Sequence, residues 1–372
     1  MIAGRLSAVS GVQAISLSIA PRRGAVSLVE IAVLASCIIA AAVVSNRYAV
    51  DIMIRTFLWA GLALAWNIAG GYAGLISFGH AAFFGIGAYT STILLLNFGV
   101  PPWFGMFAGA LIAACAGALL TRVCARLRGP FFILSTLAAG EVVRIAALNW
   151  RSLTGGPEGL EIPPVPNVVD MVFKSQWPYV AIIVAYMLAM FALSAWIEQT
   201  RYGYYLFATR DNEDGASAIG INPSHTRTAA MALSAATTAI GGTLFAQYFL
   251  YLDPTHVISP DISFQFALIC AVGGLGTASG PVFGALIIVP LSELLRGLLS
   301  QSTSGLHLVI YGIIVIVVIL YFPSGVSGAI DRTVSRFFPA GGFAARVQTE
   351  KYDAQASANS GRYGPYATSA SP

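Results

Sequence analysis

"GGYAGLISFGHAAFFGIGAYTSTILL", residues 70–95, decides how the chain is read. It is almost wholly apolar, yet it carries six glycines before Tyr89 and one histidine, His80. In a water-exposed helix each glycine costs about 1 kcal/mol relative to alanine. In lipid, small residues let helix backbones approach closely, where the hydrophobic effect gives no packing drive. The stretch reads as a membrane span whose glycines Gly74, Gly79, Gly85 and Gly87 form a contact face. Ser77 and His80 lie within one helical turn, and His80 either hydrogen-bonds across helices or lines a path.

The rest of the composition agrees. The 372 residues are 57% hydrophobic and only 10% charged, with a mean hydropathy of +0.76. A soluble domain has roughly 25% charged residues. Apolar runs of membrane-spanning length recur at 28–45, 50–70, 77–97, 103–122, 130–149, 177–197, 228–251, 262–277, 280–298 and 306–322. The runs do not alternate apolar and polar residues, which excludes a β-barrel. The expectation is an all-α polytopic membrane protein of about ten transmembrane or partly spanning helices.

Placing the N-terminus in the cytoplasm puts Arg5, Arg22, Arg23, Arg122, Arg126, Arg128, Arg201, Arg210, Arg227 and the basic residues after Arg296 inside. Only Arg47, Arg151 and Lys174 fall outside. The positive-inside rule therefore sets both termini in the cytoplasm. The net charge of +4 follows from these loops and needs no nucleic acid. Residues 1–27 form a cytoplasmic leader, 28–325 the membrane domain and 326–372 a disordered cytoplasmic tail. Loop 150–176 is external and rich in Gly and Pro. Loop 198–227 is internal and carries most of the inside acids. The cysteines Cys37, Cys115, Cys124 and Cys270 read as small buried hydrophobes without metal-ligand spacing.

Chemistry is scarce. The only lysines, Lys174 and Lys351, lack the glycine-rich context of a phosphate loop. Neither a Gly-x-Ser-x-Gly elbow nor a His-Glu-x-x-His metal motif is present, so no catalytic residue and no metal site is expected. Glu141 and Arg144 lie three apart inside a span, as do Glu293 and Arg296. The plain reading is mutual neutralisation, and the sharper one places them beside a moving pathway. Gly70-Gly71-Tyr-Ala-Gly74 is echoed by Gly273-Gly274-Leu-Gly276. Paired glycine interruptions of this kind point to a transport path near the bilayer midplane. In loop 198–227, Asp211 or Asn212 caps a short helix that Gly220 ends, Pro223 blocks its continuation, and Ser224 or Thr226 caps the next span.

That loop resembles the "EAA" coupling loop of ABC-importer permeases. Glu213, Ala216 and Gly220 match, with Arg210 and Asn212 upstream, while Gly215 stands where the motif has alanine. "NIAGGYAGLISFGHAAFFGIGAY", "LRGPFFILSTLAAGEVVRIAALNWRSLTGGPEGL" and "AVGGLGTASGPVFGALI" resemble further segments of the LivM-type permease subunits of branched-chain amino-acid importers. The resemblance covers roughly residues 50–325. It implies a second, LivH-type permease subunit, two cytoplasmic ATPase subunits and a periplasmic binding protein, all around a chain in the bacterial inner membrane. ATP and magnesium would sit in the ATPases, with no cofactor in this chain. Coupling would run through Arg210, Asp211, Asn212, Glu213, Ala216 and Gly220. Gly74, Ser77, Gly79, His80, Gly85, Glu141, Arg144, Gly273, Gly274 and Gly276 are pathway or packing candidates. Thr154, Gly155, Gly156 and Pro157 are candidates for docking the binding protein. The substrate would be leucine, isoleucine, valine or a related small amino acid. Urea or amide uptake within the family, and a stand-alone secondary transporter outside it, are the alternatives.

Overall fold

The computed structural model describes residues 46–125, 127, 129–299, 312, 313, 316, 320 and 325–328, within one unit that begins at Val43. The leader, span 28–45, Cys37, Arg126, Arg128, most of span 306–322 and the tail after residue 328 lie outside the described residues. Among those described, eight helices are long and apolar enough to cross a bilayer. The chain is an all-α polytopic membrane protein.

Helix α1 (Arg47–Asn67) starts at Asn46, whose side chain accepts the Tyr48 N–H at 3.1 Å, and runs into a π-helical turn over Ile68–Tyr72. Helices α2 (His80–Phe98), α3 (Pro102–Val123) and α4 (Pro130–Asn149) follow. Prolines at the first turns of α3 and α4 suit positions whose N–H has no intrahelical acceptor. The short α5 (Arg151–Thr154) leads to β1 (Leu160–Glu161), and α6 (Trp177–Gln199) re-enters the bundle. Loop 198–227 holds α7 (Arg201–Asp211) and α8 (Glu213–Ala218). Then come α9 (Pro223–Phe249), β2 (Tyr251–Leu252), α10 (Pro254–Val257), α11 (Pro260–Gly273) and α12 (Gly280–Leu299). Helices α10 and α11 together form one crossing, Pro254–Gly273.

Helix α1 is central. It packs on α6, α9, α11 and α12, and 78% of its most apolar stretch is buried, against 22% for α4 at the periphery. Helices α2, α3 and α9 form the other tight group. Their closeness depends on glycine. A Cβ at Gly87 of α2 would collide with the Ala239 carbonyl of α9, and one at Gly242 with the Phe84 carbonyl of α2. Thr243 also donates its hydroxyl to the Gly87 carbonyl at 3.1 Å. A side chain at either glycine would push the helix axes apart.

Several boundaries differ from the sequence expectation. The span expected at 77–97 begins only at His80, because residues 73–79 are not helical. The span expected at 228–251 begins at Pro223. Its cap is Asn222, which accepts the His225 N–H at 3.1 Å, rather than Ser224 or Thr226. Pro223, read as a helix stop, fills the first position of α9. Loop 198–227 contains two helices where one was expected. Cys124 and Cys270 are buried, but Cys115 is exposed on α3. Glu293 lies 3.8 Å from Arg296 and also 3.6 Å from Arg55, which bonds Asp51 at 2.9 Å. Asp51 in turn accepts the Tyr248 hydroxyl.

Loop 150–176 is tied down. Leu160 pairs antiparallel with Leu252, and Glu161 with Tyr251, joining the loop to the end of α9. Asn167 and Val172 close a second bridge.

Candidate functional site

Residues 73–79 show how the glycine-rich stretch is accommodated. Non-helical backbone within a membrane protein is tolerated only where its polar groups are satisfied inside protein, and several of those in 73–79 have partners in the bundle. Leu75 N–H reaches the Ala69 carbonyl at 2.8 Å. Trp66 Nε1–H reaches the Ser77 carbonyl at 2.9 Å, and Phe78 N–H reaches Thr136 Oγ1 at 3.2 Å. Gly79 N–H uses Ser77 Oγ at 3.3 Å, and Ala81 N–H uses Ser263 Oγ at 2.8 Å. The glycines expected to form one face have different neighbours. A Cβ at Gly79 would lie 2.6 Å from the Thr136 carbonyl of α4, while Gly85 faces Ile258 and Gly87 faces α9.

His80 is fully buried, and its Nε2 is 2.9 Å from Ser234 Oγ. Ser234 has one proton and spends it on the Ala65 carbonyl at 2.7 Å. Histidine must then be the donor, so His80 is the Nε2–H tautomer. The bond ties α2 to α9 and, through Ser234, to α1. Ser234→Ala strands a buried N–H and is expected to cost about 1–3 kcal/mol of stability. Adding His80→Leu should recover part of that loss in thermal denaturation. Strictly additive losses would show that the two residues do not act as a pair.

The two glycine echoes meet in space. Asn67, buried at the end of α1, accepts the Gly276 N–H at 3.0 Å and donates to the Thr277 carbonyl at 3.0 Å. Its amide thus completes the turn between α11 and α12. A Cβ at Gly71 would stand 2.7 Å from the Gly276 nitrogen. Gly273 packs on Gly280 within the α11–α12 hairpin, and Gly274 packs on Ser327 and Gly325. The sequence echo pointed to the midplane. In the structure both turns lie against one residue of loop 198–227.

That residue is Arg210. Its Nη1 donates to the Gly71 carbonyl at 2.9 Å. Its Cγ occupies the space where Gly74, at φ +69°, would carry a side chain, and its Nη1 lies where Gly276 would. Asp211 lies 3.1 Å from its Nε, and its guanidinium stacks 5.2 Å from the Phe207 ring centre. Arg210 therefore touches both glycine turns from the last turn of α7.

Helix α8 comes immediately after. Asn212 caps it by accepting the Gly215 N–H at 2.9 Å, and Gly220, at φ +85°, ends the segment. Ala216 is buried. Glu213 is ion-paired with Arg227 of α9 at 2.9 Å. Tyr72, in the π-helical turn after α1, donates its hydroxyl to Glu198 in the last turn of α6 at 3.0 Å. Burial pushes the Tyr202 phenol up to about 12, so it stays neutral. Ile219 is 75% exposed beside a cleft of about 330 Å³ lined by Tyr205, Ile221 and His225.

The remaining candidates lie elsewhere. Thr154 is buried and donates its hydroxyl to the Trp150 carbonyl at 2.9 Å. Gly155 packs on Gly159, and Gly156 on the Leu148 carbonyl. Of these four residues Pro157 alone is exposed. Glu141 and Arg144 pair on α4, with Arg144 Nε 2.9 Å from Glu141 Oε2. They line a cleft of about 720 Å³ against α10 and α11. Among the described residues no group of three His, Cys, Asp or Glu is placed to hold a metal ion. Asn67, Thr277, Ser234 and Arg227 escaped the sequence reading. A lone amide in an apolar span was the available signal for Asn67.

Known proteins resemble this chain over the same region. The chain is 27% identical to the high-affinity branched-chain amino acid transport system permease protein LivM of Salmonella typhimurium over 304 residues, 75% of this chain and 70% of that protein. It is equally similar to LivM of Escherichia coli K12. It is 26% identical over 289 residues to LivH of Salmonella typhimurium, covering 73% of this chain and 91% of that protein. No solved structure matches. The family model described as branched-chain amino acid transport system / permease component matches residues 48–319, so the chain belongs to that family of membrane permeases.

Proposed function

We propose that this chain forms half of the translocation pathway of an ATP-driven importer for leucine, isoleucine, valine or related small amino acids in the bacterial inner membrane. A LivH-type permease forms the other half. Two cytoplasmic ATPase subunits hold ATP and magnesium, and a periplasmic protein delivers the substrate. The names of the similar proteins support the substrate class. The observation that carries the mechanism is the contact of Arg210 with both glycine turns.

An ATPase pressing on α8 acts on a helix that is capped, short and fastened to its neighbours. Glu213 passes the displacement to α9 through Arg227. Arg210, one residue before Asp211 and two before the Asn212 cap, passes it to the ends of α1, α11 and α12. Those ends are glycine turns joined by the Asn67 amide, and the Arg210 side chain fills the space their missing side chains leave. Exposed Ile219 and the adjoining cleft offer the apolar anchor that a partner subunit needs.

Glu213→Lys places a cation against Arg227. It is expected to abolish labelled-leucine uptake and to weaken ATPase copurification while leaving membrane insertion intact. Unchanged uptake would refute coupling through α8. Uptake of labelled leucine, valine, urea and glutamate by the unaltered assembly tests the substrate class.

A further inference from the structure

Helix α4 is the least buried of the eight crossings, yet it carries an ion pair beyond its midpoint. Glu141 and Arg144 retain 35% and 24% of their side-chain exposure. At the centre of a span a charge costs about 2.5–3.5 kcal/mol, and an ionisable residue within a span faces protein or a water-filled cavity. Here it faces the cleft against α10 and α11. A volume of about 720 Å³ falls within the roughly 300–1,000 Å³ of small-molecule sites.

The lining is amphoteric rather than merely neutralised. Asp261, at the start of α11, adds a second carboxylate, and among the described residues no cation pairs with it. Ser259 bonds it at 3.2 Å. The cleft thus holds two carboxylates and one guanidinium, with the His256 imidazole on its rim 3.8 Å from Asp253; with that imidazole neutral, a single ammonium balances the acidic surplus. Its other walls include Leu134, Leu137 and Phe264.

Resting on the amino-acid reading above, we propose that this cleft receives the substrate in transit. Arg144 takes the α-carboxylate of an aliphatic amino acid, Glu141 and Asp261 take its ammonium, and Leu134, Leu137 and Phe264 take its side chain. The zwitterion opens the Glu141–Arg144 pair and replaces each partner with its own opposite charge. A polar headgroup then meets charge, and an aliphatic tail meets apolar wall, within one cavity.

The test uses the complete importer in proteoliposomes. The unaltered assembly must first accumulate labelled leucine; failure at that stage removes the importer reading itself and is distinct from a failure of the cleft. The double variant Glu141→Gln/Arg144→Met is then compared with it. A pair that only neutralises itself can be replaced by two neutral side chains without loss. We expect the double variant to assemble and to keep binding-protein-stimulated ATP hydrolysis, with leucine uptake at least tenfold lower. Uptake at the unaltered level overturns the proposal. Should the variant fail to assemble or to hydrolyse ATP, Ala138→Cys decides, through labelling by a charged thiosulfonate read by mass spectrometry. Saturating leucine is expected to slow that labelling at least threefold, and equal labelling overturns the proposal.

Discussion

Valine at Gly87 is expected to leave almost no correctly folded protein in the membrane. The new side chain would meet the Ala239 carbonyl of α9, a backbone atom that cannot turn aside as a flexible side chain can. Overpacking a dense core costs about 1–3 kcal/mol even when side chains can adjust, and displacing α9 as a whole costs more. The Thr243 hydroxyl would also lose the Gly87 carbonyl as an acceptor. Gly297→Ala is the control, because among the described residues only the Tyr48 hydroxyl lies near it, at 3.2 Å. Size-exclusion profiles and melting temperatures in detergent separate the two. A monodisperse Gly87→Val protein with an unchanged melting temperature would show that α2 and α9 do not depend on this close approach.

Arg210→Ala is expected to give the opposite phenotype, a folded protein that does not transport. The substitution removes the 2.9 Å bond to the Gly71 carbonyl and empties the space beside Gly74 and Gly276. A hydrogen bond from a charged donor contributes about 1.5–3 kcal/mol, a modest part of the stability of a bundle this size. The contact between loop 198–227 and the glycine turns is lost, however, so in the proposed importer ATP hydrolysis should continue while labelled-leucine uptake falls at least tenfold. Uptake within twofold of the unaltered importer would show that the loop drives the turns by another route, with Tyr72–Glu198 the next contact to remove.

The helical membrane architecture was legible in the sequence, because twenty apolar residues in lipid have few conformational options. The internal helix was legible through its punctuation. Asn212 and Gly220 act locally, and local hydrogen bonds are what sequence reading sees best. Other features depend on partners far along the chain. Nothing near Gly71 announces that Arg210 will sit on it, and nothing near Asn67 announces Gly276 and Thr277. The start of α2 was misplaced for the same reason. Apolar residues 73–79 fit a helix by composition, but Thr136 and Trp66 on other helices bond their backbone at Phe78 and Ser77. Pro223 was read as an end because proline breaks helices, whereas beside Asn222 it begins one.

Helix α9 runs unbroken through 27 residues, a strut of about 40 Å at 1.5 Å per residue. One end is stitched by backbone pairing to loop 150–176, and the other is held by charge to α8. In the importer proposed above, delivery of cargo and use of ATP would therefore address opposite ends of a single continuous helix.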